Sequence, residues 1–202
     1  MAGHANPHTL VTYLPKNTSS RVEILTMYNI FYPLNFNPKL RNKEKQPVIV
    51  IGGCHNSQYN VTLMNIIIGI LQDGIGGYFK TTDPYGQFWK YEWVPKCFSW
   101  WLTVKPNNGA IATMGNSGLG MGLEGDLYTE GLDGWLFPRF FYNYGQLNAE
   151  HVGEAQGAAI TDYVLEFDIN DGDGQNPGDS DRQMVAQWAL LGDPSLLIGG
   201  YE

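Results

Sequence analysis

The chain has 202 residues, of which 43% are hydrophobic and only 16% charged, a balance that suits one globular domain and excludes a disordered chain, a coiled coil or a helical spacer. Twenty acids against 12 bases give a net charge of −8, so the basic footprint of a nucleic-acid binder is absent. Two cysteines, Cys54 and Cys97, are too few for a disulfide scaffold or a four-cysteine zinc site. In chain order, residues 46–53 (QPVIVIGG) read as a buried strand, because four β-branched apolar residues run between a proline and two glycines. Residues 61–72 follow as a helix with Leu63, Ile66, Ile67, Ile70 and Leu71 on its inner face. Residues 73–93 read as a glycine- and aromatic-rich loop, and 95–104 as a helix with Pro95 near its first turn. A second buried strand is expected over 109–115, then a glycine-rich loop over 116–122. Helices are expected over 135–144, over 153–167 with Ala155, Ala158, Ala159, Tyr163 and Leu165 facing inward, and over 182–190. The acidic stretch 168–181 reads as a loop, and 195–199 (SLLIG) as a closing strand. The order β-α-α-β-α-α-α-β predicts an α/β sheet with helices on its faces.

No apolar run reaches the roughly 20 residues of a membrane span, and the opening MAGHANPH does not read as a signal peptide. Cys54 directly follows the first buried strand, at the end where open α/β sheets place their sites. A thiol there is a candidate nucleophile that needs a histidine within hydrogen-bond reach; the alternative is a small apolar residue packed under the next helix. Cys97, in a tryptophan-rich segment, reads as a core thiol, with a Cys54–Cys97 disulfide left open. The loop over 116–122 (NSGLGMG) lacks the Gly-Lys-Ser/Thr ending of a phosphate loop, and its position makes it a cleft lining. Asp168, Asn170, Asp171, Asp173, Asp179 and Asp181 form a dense set of hard oxygen donors, candidate ligands for a structural calcium ion. Their spacing does not fit the twelve-residue EF-hand register, and a solvated acidic loop is the alternative. His151, just before an expected helix, reads as structural.

Three segments together carry a resemblance. Residues 2–7 (AGHANP) are similar to a Gly-His-Gly segment, 47–56 (PVIVIGGCHN) to a strand ending in a nucleophilic cysteine, and 190–201 (LLGDPSLLIGGY) to a closing Leu-Gly-Asp-Pro-Ser-Leu segment. With residues 109–122 fitting between them, nearly the whole chain resembles the caspase-like domain of the gingipain family of cysteine peptidases, peptidase family C25, most of all its archaeal and bacterial surface members. The resemblance implies a mostly parallel, caspase-like sheet flanked by helices, of which these residues are the C-terminal part. The histidine of the family lies deep inside its domain, whereas here it is the fourth residue, so earlier strands are expected to be missing and the 202 residues alone to have weak or no activity.

Carried over residue by residue, the resemblance makes Cys54 the nucleophile and His4 its base, on the tips of neighbouring parallel strands. The backbone amides of Cys54 and Ala5 would form the oxyanion hole, and His55, Asn56, Asn116 and Ser117 would line the substrate cleft. Ala5 stands where the family usually has glycine, which a backbone donor tolerates if φ there is negative. Glu124 and Asp126 are candidates for an acid in a specificity pocket. The implied substrate is a polypeptide and the implied location is extracellular or at the cell surface; the Cys–His dyad requires no cofactor. The expected function is cysteine-type endopeptidase. A catalytically silent caspase-like binding or scaffold module is the alternative, favoured by Ala5, and a calcium-dependent adhesion domain is a third, weaker reading.

Overall fold

The computed structural model describes residues 4–6, 9–14, 17–26, 40–62, 64–79, 96–123, 125–167, 169 and 177–199. The first two buried strands form as expected, β4 at Val48–Ile51 and β5 at Ala112–Asn116. Ahead of them lie three strands beyond the expected elements: β1 (His4–Asn6), β2 (Thr9–Leu14) and β3 (Asn17–Thr26). These pair antiparallel in the order β1-β2-β3, with Leu10 opposite Leu25 and Val11 opposite Ile24. Between and after β4 and β5 come the helices α1 (Met64–Phe79), α2 (Phe98–Thr103), α3 (Leu132–Leu147), α4 (Val152–Glu166) and α5 (Pro177–Gln187), and the last strand β6 (Trp188–Leu191).

From β4 onward the predicted order holds, and the protein is α/β. The sheet β4-β5-β6 is mixed rather than mostly parallel: β4 runs parallel to β5, with Val48 opposite Ala112, and β6 runs antiparallel, with Met114 opposite Leu190. The continuous apolar run of β4 follows from burial on both faces. Val48 and Val50 turn toward the main core with Ala112 and Met114 of β5 and with Leu136, Phe140, Val152, Ala155 and Ala159, supplied by α3 and α4. Ile49 and Ile51 turn the other way, toward Phe98, Leu102 and Ala110 around α2. That alternation is the period of two of a pleated strand. Each of the fully buried side chains of Ile51, Met114, Leu136, Phe140 and Val152 contributes roughly 1.5–3 kcal/mol by leaving water.

Four expectations need correction. The closing strand is β6, earlier than 195–199, because α5 ends at Gln187 and Trp188 stacks on Phe137 at 5.8 Å. Gly192, at φ 141°, then stops the strand, and Asp193 Oδ1 accepts from the Ser195 amide and hydroxyl at 2.9 and 2.7 Å, closing a turn. Helix α1 starts later than 61 and continues through a kink at Gly74 (φ 70°) to Phe79; Met64, Ile67, Ile68 and Leu71 are exposed, so the expected inner face does not hold. Asp179 and Asp181 lie within α5, not in a loop, since Pro177 fits the first turn of a helix. In α4, Ala155, Ala159 and Tyr163 are buried as expected, but Leu165 is exposed because it falls on the opposite side of the helix. No helix among the described residues is long and apolar enough to cross a membrane.

Tyr163 ties three helices together. It is fully buried, accepts from the Leu132 amide at 3.0 Å and donates to Asp181 Oδ1 at 2.5 Å, with its ring edge-on to Trp135 at 5.3 Å. Burial, and then the bond to Asp181, push its phenol well above the ordinary range, so it stays a donor at any physiological pH. Tyr163→Phe removes both bonds and takes the part-buried Leu132 amide's partner away. The expected loss is about 1–3 kcal/mol in denaturant unfolding; an unchanged midpoint would contradict this role.

Candidate active site

The chain leaves β4 through Gly52 and Gly53 and turns at Cys54-His55-Asn56-Ser57. The turn is tight: Gly53 has φ 111° and His55, which carries a side chain, has φ 55°. A left-handed non-glycine residue persists only where its surroundings hold it. Here the His55 amide donates to Gly118 O at 2.7 Å and the Ser57 amide to Asn116 O at 3.0 Å. These two bonds clamp the turn to the glycine-rich loop that follows β5.

Asn56 and Ser57 are entirely buried and lock the turn from below. Asn56 Nδ2 donates to Gly53 O at 2.8 Å, and its own carbonyl accepts from the Ser99 amide at 3.0 Å, at the start of α2. Ser57 Oγ shares a 2.7 Å hydrogen bond with Ser99 Oγ and donates to Asn56 Oδ1 at 3.1 Å. Asn56 is therefore a structural member of the turn and does not line the cleft. Asn116 is equally buried. Its Nδ2 donates to Asp133 Oδ2 at 2.7 Å and to Gly53 O at 3.3 Å.

Cys54 itself is half-buried, and its Sγ lies 3.5 Å from Gly120 O, which accepts from the thiol. Burial pushes the thiol above its ordinary pKa, and the negative charge of Asp133 pushes the same way. Cys97 is fully buried at the start of α2, and both cysteines are free thiols, so no disulfide joins them. His55 Nδ1 stands 2.9 Å from Gln58 Oε1, and burial lowers the imidazole pKa, which keeps the ring neutral near pH 7. His55 and Ser117, with Gln58, Tyr59 and Asn60, line a pocket of about 140 Å³ next to the turn.

Asp133 is the residue that sequence reasoning missed. It sits in the first turn of α3, its amide donates to Met121 O at 3.1 Å, and its carboxyl is buried, with Oδ1 lacking a hydrogen-bond partner among the described residues. Burial raises its pKa to about 7, against the lowering effect of the Asn116 hydrogen bond. An acid in the first turn of a helix usually reads as an exposed dipole partner, and only the fold brings this one behind Cys54.

The other expected site residues fall as follows. His4 and Ala5 lie on β1, opposite Val11 and Leu10 of β2. Among the described residues β1 pairs with β2 alone, and antiparallel, so His4 and Cys54 do not stand on adjacent parallel strands. Ala5 lies in the extended strand β1. Asp126 is exposed in a short 3-10 turn (Gly125–Leu127), and Glu124 lies outside the described residues. So do Asp168, Asn170, Asp171 and Asp173 of the expected calcium site; Asp181 spends one carboxylate oxygen on Tyr163. Among the described residues no group of three metal-ligating side chains occurs. His151 caps α4, where Glu154 Oε2 accepts from the amides of Glu150 and His151 at 3.0 and 3.4 Å, which is the structural role expected of it.

Two outcomes follow from this geometry. A Cβ on Gly120 would stand 2.6 Å from Asn116 Nδ2 and 2.8 Å from Gly53 O, a clash with backbone that cannot give way cheaply. Gly120→Ala is therefore expected to lose about 1–3 kcal/mol in denaturant unfolding and to change Cys54 accessibility to a thiol reagent; neither change would contradict the close packing. Asp133 has a folded pKa of about 7 against an ordinary 3.8, so the folded state holds the proton more tightly. Its contribution is full below pH 3.8 and is lost as pH rises through about 7. Asp133→Asn should remove that slope and gain on wild type across the window, by at most roughly 4 kcal/mol. Parallel stability curves for the two proteins from pH 4 to 8 would refute the buried, proton-holding carboxyl.

Comparison with known proteins agrees with the resemblance read from the three segments. The model of peptidase family C25 matches residues 2–198, nearly the whole chain. No curated protein and no solved structure matches it. A match of that extent decides the assignment: the chain belongs to peptidase family C25, a family of cysteine peptidases.

Proposed function

We propose that the protein is a cysteine endopeptidase in which Cys54 is the nucleophile and His4 its acid–base partner. The observation that supports this most is the position of Cys54 in a chain of this family: on a tight turn at the carboxyl end of a buried strand, beside an open pocket. In this reading the Cys54 thiolate attacks the peptide carbonyl carbon and the carbonyl electron pair moves to oxygen. The backbone amides of Cys54 and Ala5 hold that oxyanion. Collapse expels the amine, which takes a proton from the His4 imidazolium and leaves a thioester. Water, giving its proton to His4, attacks the thioester and releases the carboxylic acid and the thiolate. The substrate is a polypeptide, with His55 and Ser117 beside the pocket that receives part of it.

A partner for the thiol is a physical need in this scheme. Burial and the charge of Asp133 both favour the neutral thiol, so an imidazolium is required to draw out the thiolate at neutral pH. The test is cleavage of a mixed peptide library by wild type and single variants. Cys54→Ala should lose cleavage by about 10³-fold or more, and His4→Ala by about 10²–10⁴-fold, whereas Cys97→Ala should retain it. Cleavage by Cys54→Ala at the wild-type rate would end this reading. A wild-type protein that binds peptides and never cleaves them would favour the silent binding module.

A further inference from the structure

The mechanism above leaves the buried carboxyl of Asp133 unused. Asp133 lies behind the Cys54 turn and is joined to it through a single side chain, since the Asn116 amide donates both to Asp133 Oδ2 at 2.7 Å and to Gly53 O at 3.3 Å. Gly53 is the residue directly before Cys54, so the carboxyl, the amide and the nucleophile's own backbone form one continuous chain. The loop over this chain is fitted closely: Gly120, whose carbonyl accepts from the thiol, has no room for a Cβ against Asn116 Nδ2 and Gly53 O. Asp133 is also fixed from its own backbone, whose amide donates to Met121 O at 3.1 Å.

We propose that Asp133 is a positioning residue for the Cys54 turn, which holds Gly53 through Asn116 and whose charge sets how readily the Cys54 thiol gives up its proton. Among the described residues, the ionisable groups that feel the charge of Asp133 are the Cys54 thiol from the turn after β4 and the Tyr163 phenol from α4. Helix α5 adds Asp181 behind the Tyr163 hydroxyl, and β5 contributes only the neutral Asn116. None of these is a cation, so nothing in this set compensates an ionised Asp133. Both carboxyl forms keep an oxygen for the Asn116 amide, so the turn stays held. The forms differ in the field at Cys54. With Asp133 neutral, the thiolate forms without a like charge beside it. With Asp133 ionised, thiolate formation is opposed. The carboxyl titrates near pH 7, so the change falls close to neutrality.

The inference rests on Cys54 as the reacting group, and its test needs no peptidase activity. The rate of Cys54 alkylation by iodoacetamide is measured from pH 6 to 10 in a Cys97→Ala background. Asp133→Asn keeps an oxygen for Asn116 and removes the charge. It should shift the alkylation midpoint to lower pH and speed alkylation at pH 8 by roughly three- to tenfold. Asp133→Ser, smaller and neutral, should shift the midpoint the same way. A midpoint unchanged in either folded variant overturns the proposal. If neither variant folds, the wild-type profile decides: an inflection near pH 7 in addition to the thiol titration supports it, and a single transition overturns it. A shifted midpoint in a protein without peptide cleavage would sink the peptidase reading alone.

Discussion

Two buried asparagines carry the geometry around Cys54. Asn116 is at the end of β5 and touches the carbonyl before Cys54 and the carboxyl of Asp133 at the start of α3. Asn56 reaches from the far side of the same turn to the same Gly53 carbonyl and receives the first amide turn of α2 through its own backbone. The Nδ2 of each amide is out of water and paired, so leaving it without a partner would cost about 1–3 kcal/mol. That penalty is what makes the turn rigid: a movement of Gly53 would break bonds to both side chains at once. The left-handed backbone of His55 and the close approach of Gly120 are tolerated because these contacts over-determine them.

The sheet supplies the platform. Strand β4 is covered by α2 on one face and by α3 and α4 on the other, and its β-branched residues alternate between the two cores. Strand β5 lies between β4 and β6, so its backbone is paired on both edges. The polar residues Thr113 and Asn116 can be buried on it only because each finds a partner; Thr113 Oγ1 meets Thr103 Oγ1 at 3.0 Å. A rigid platform with a strained, polar turn at its carboxyl end is where this fold class places its chemistry.

Much of this was legible in the sequence, and the part that was not has physical causes. PVIVIGGC announced both the buried strand and the position of Cys54, because four β-branched residues in a row are compatible with burial on both faces. The order of elements from β4 to β6 followed from periodicity and from punctuation by glycine and proline. Strands β1 to β3 were missed because β1 is only three residues long and half-polar strands such as NTSSRVEILT give a weak pattern until a partner is known. The exact end of α5 was missed because WALL suits a helix and a strand equally, and its stacking on Phe137 decides. Asp133 was illegible for a different reason. Its neighbours Asn116 and Cys54 are distant in sequence, and nothing local in GLDGW marks a buried acid.

A thiol that burial and a nearby carboxyl keep protonated is stable and unreactive until a partner draws the proton away. That tension is the centre of the account: the turn is built for position, and reactivity must come from a base and from bound substrate. The most direct measurement is reaction with a peptidyl acyloxymethyl ketone, followed by peptide mapping of the modified protein by mass spectrometry. The account predicts one modification, a thioether on Cys54 that competing peptide slows. Label on Cys97, or on Cys54 at a rate no different from that of a non-peptidic ketone, would contradict it.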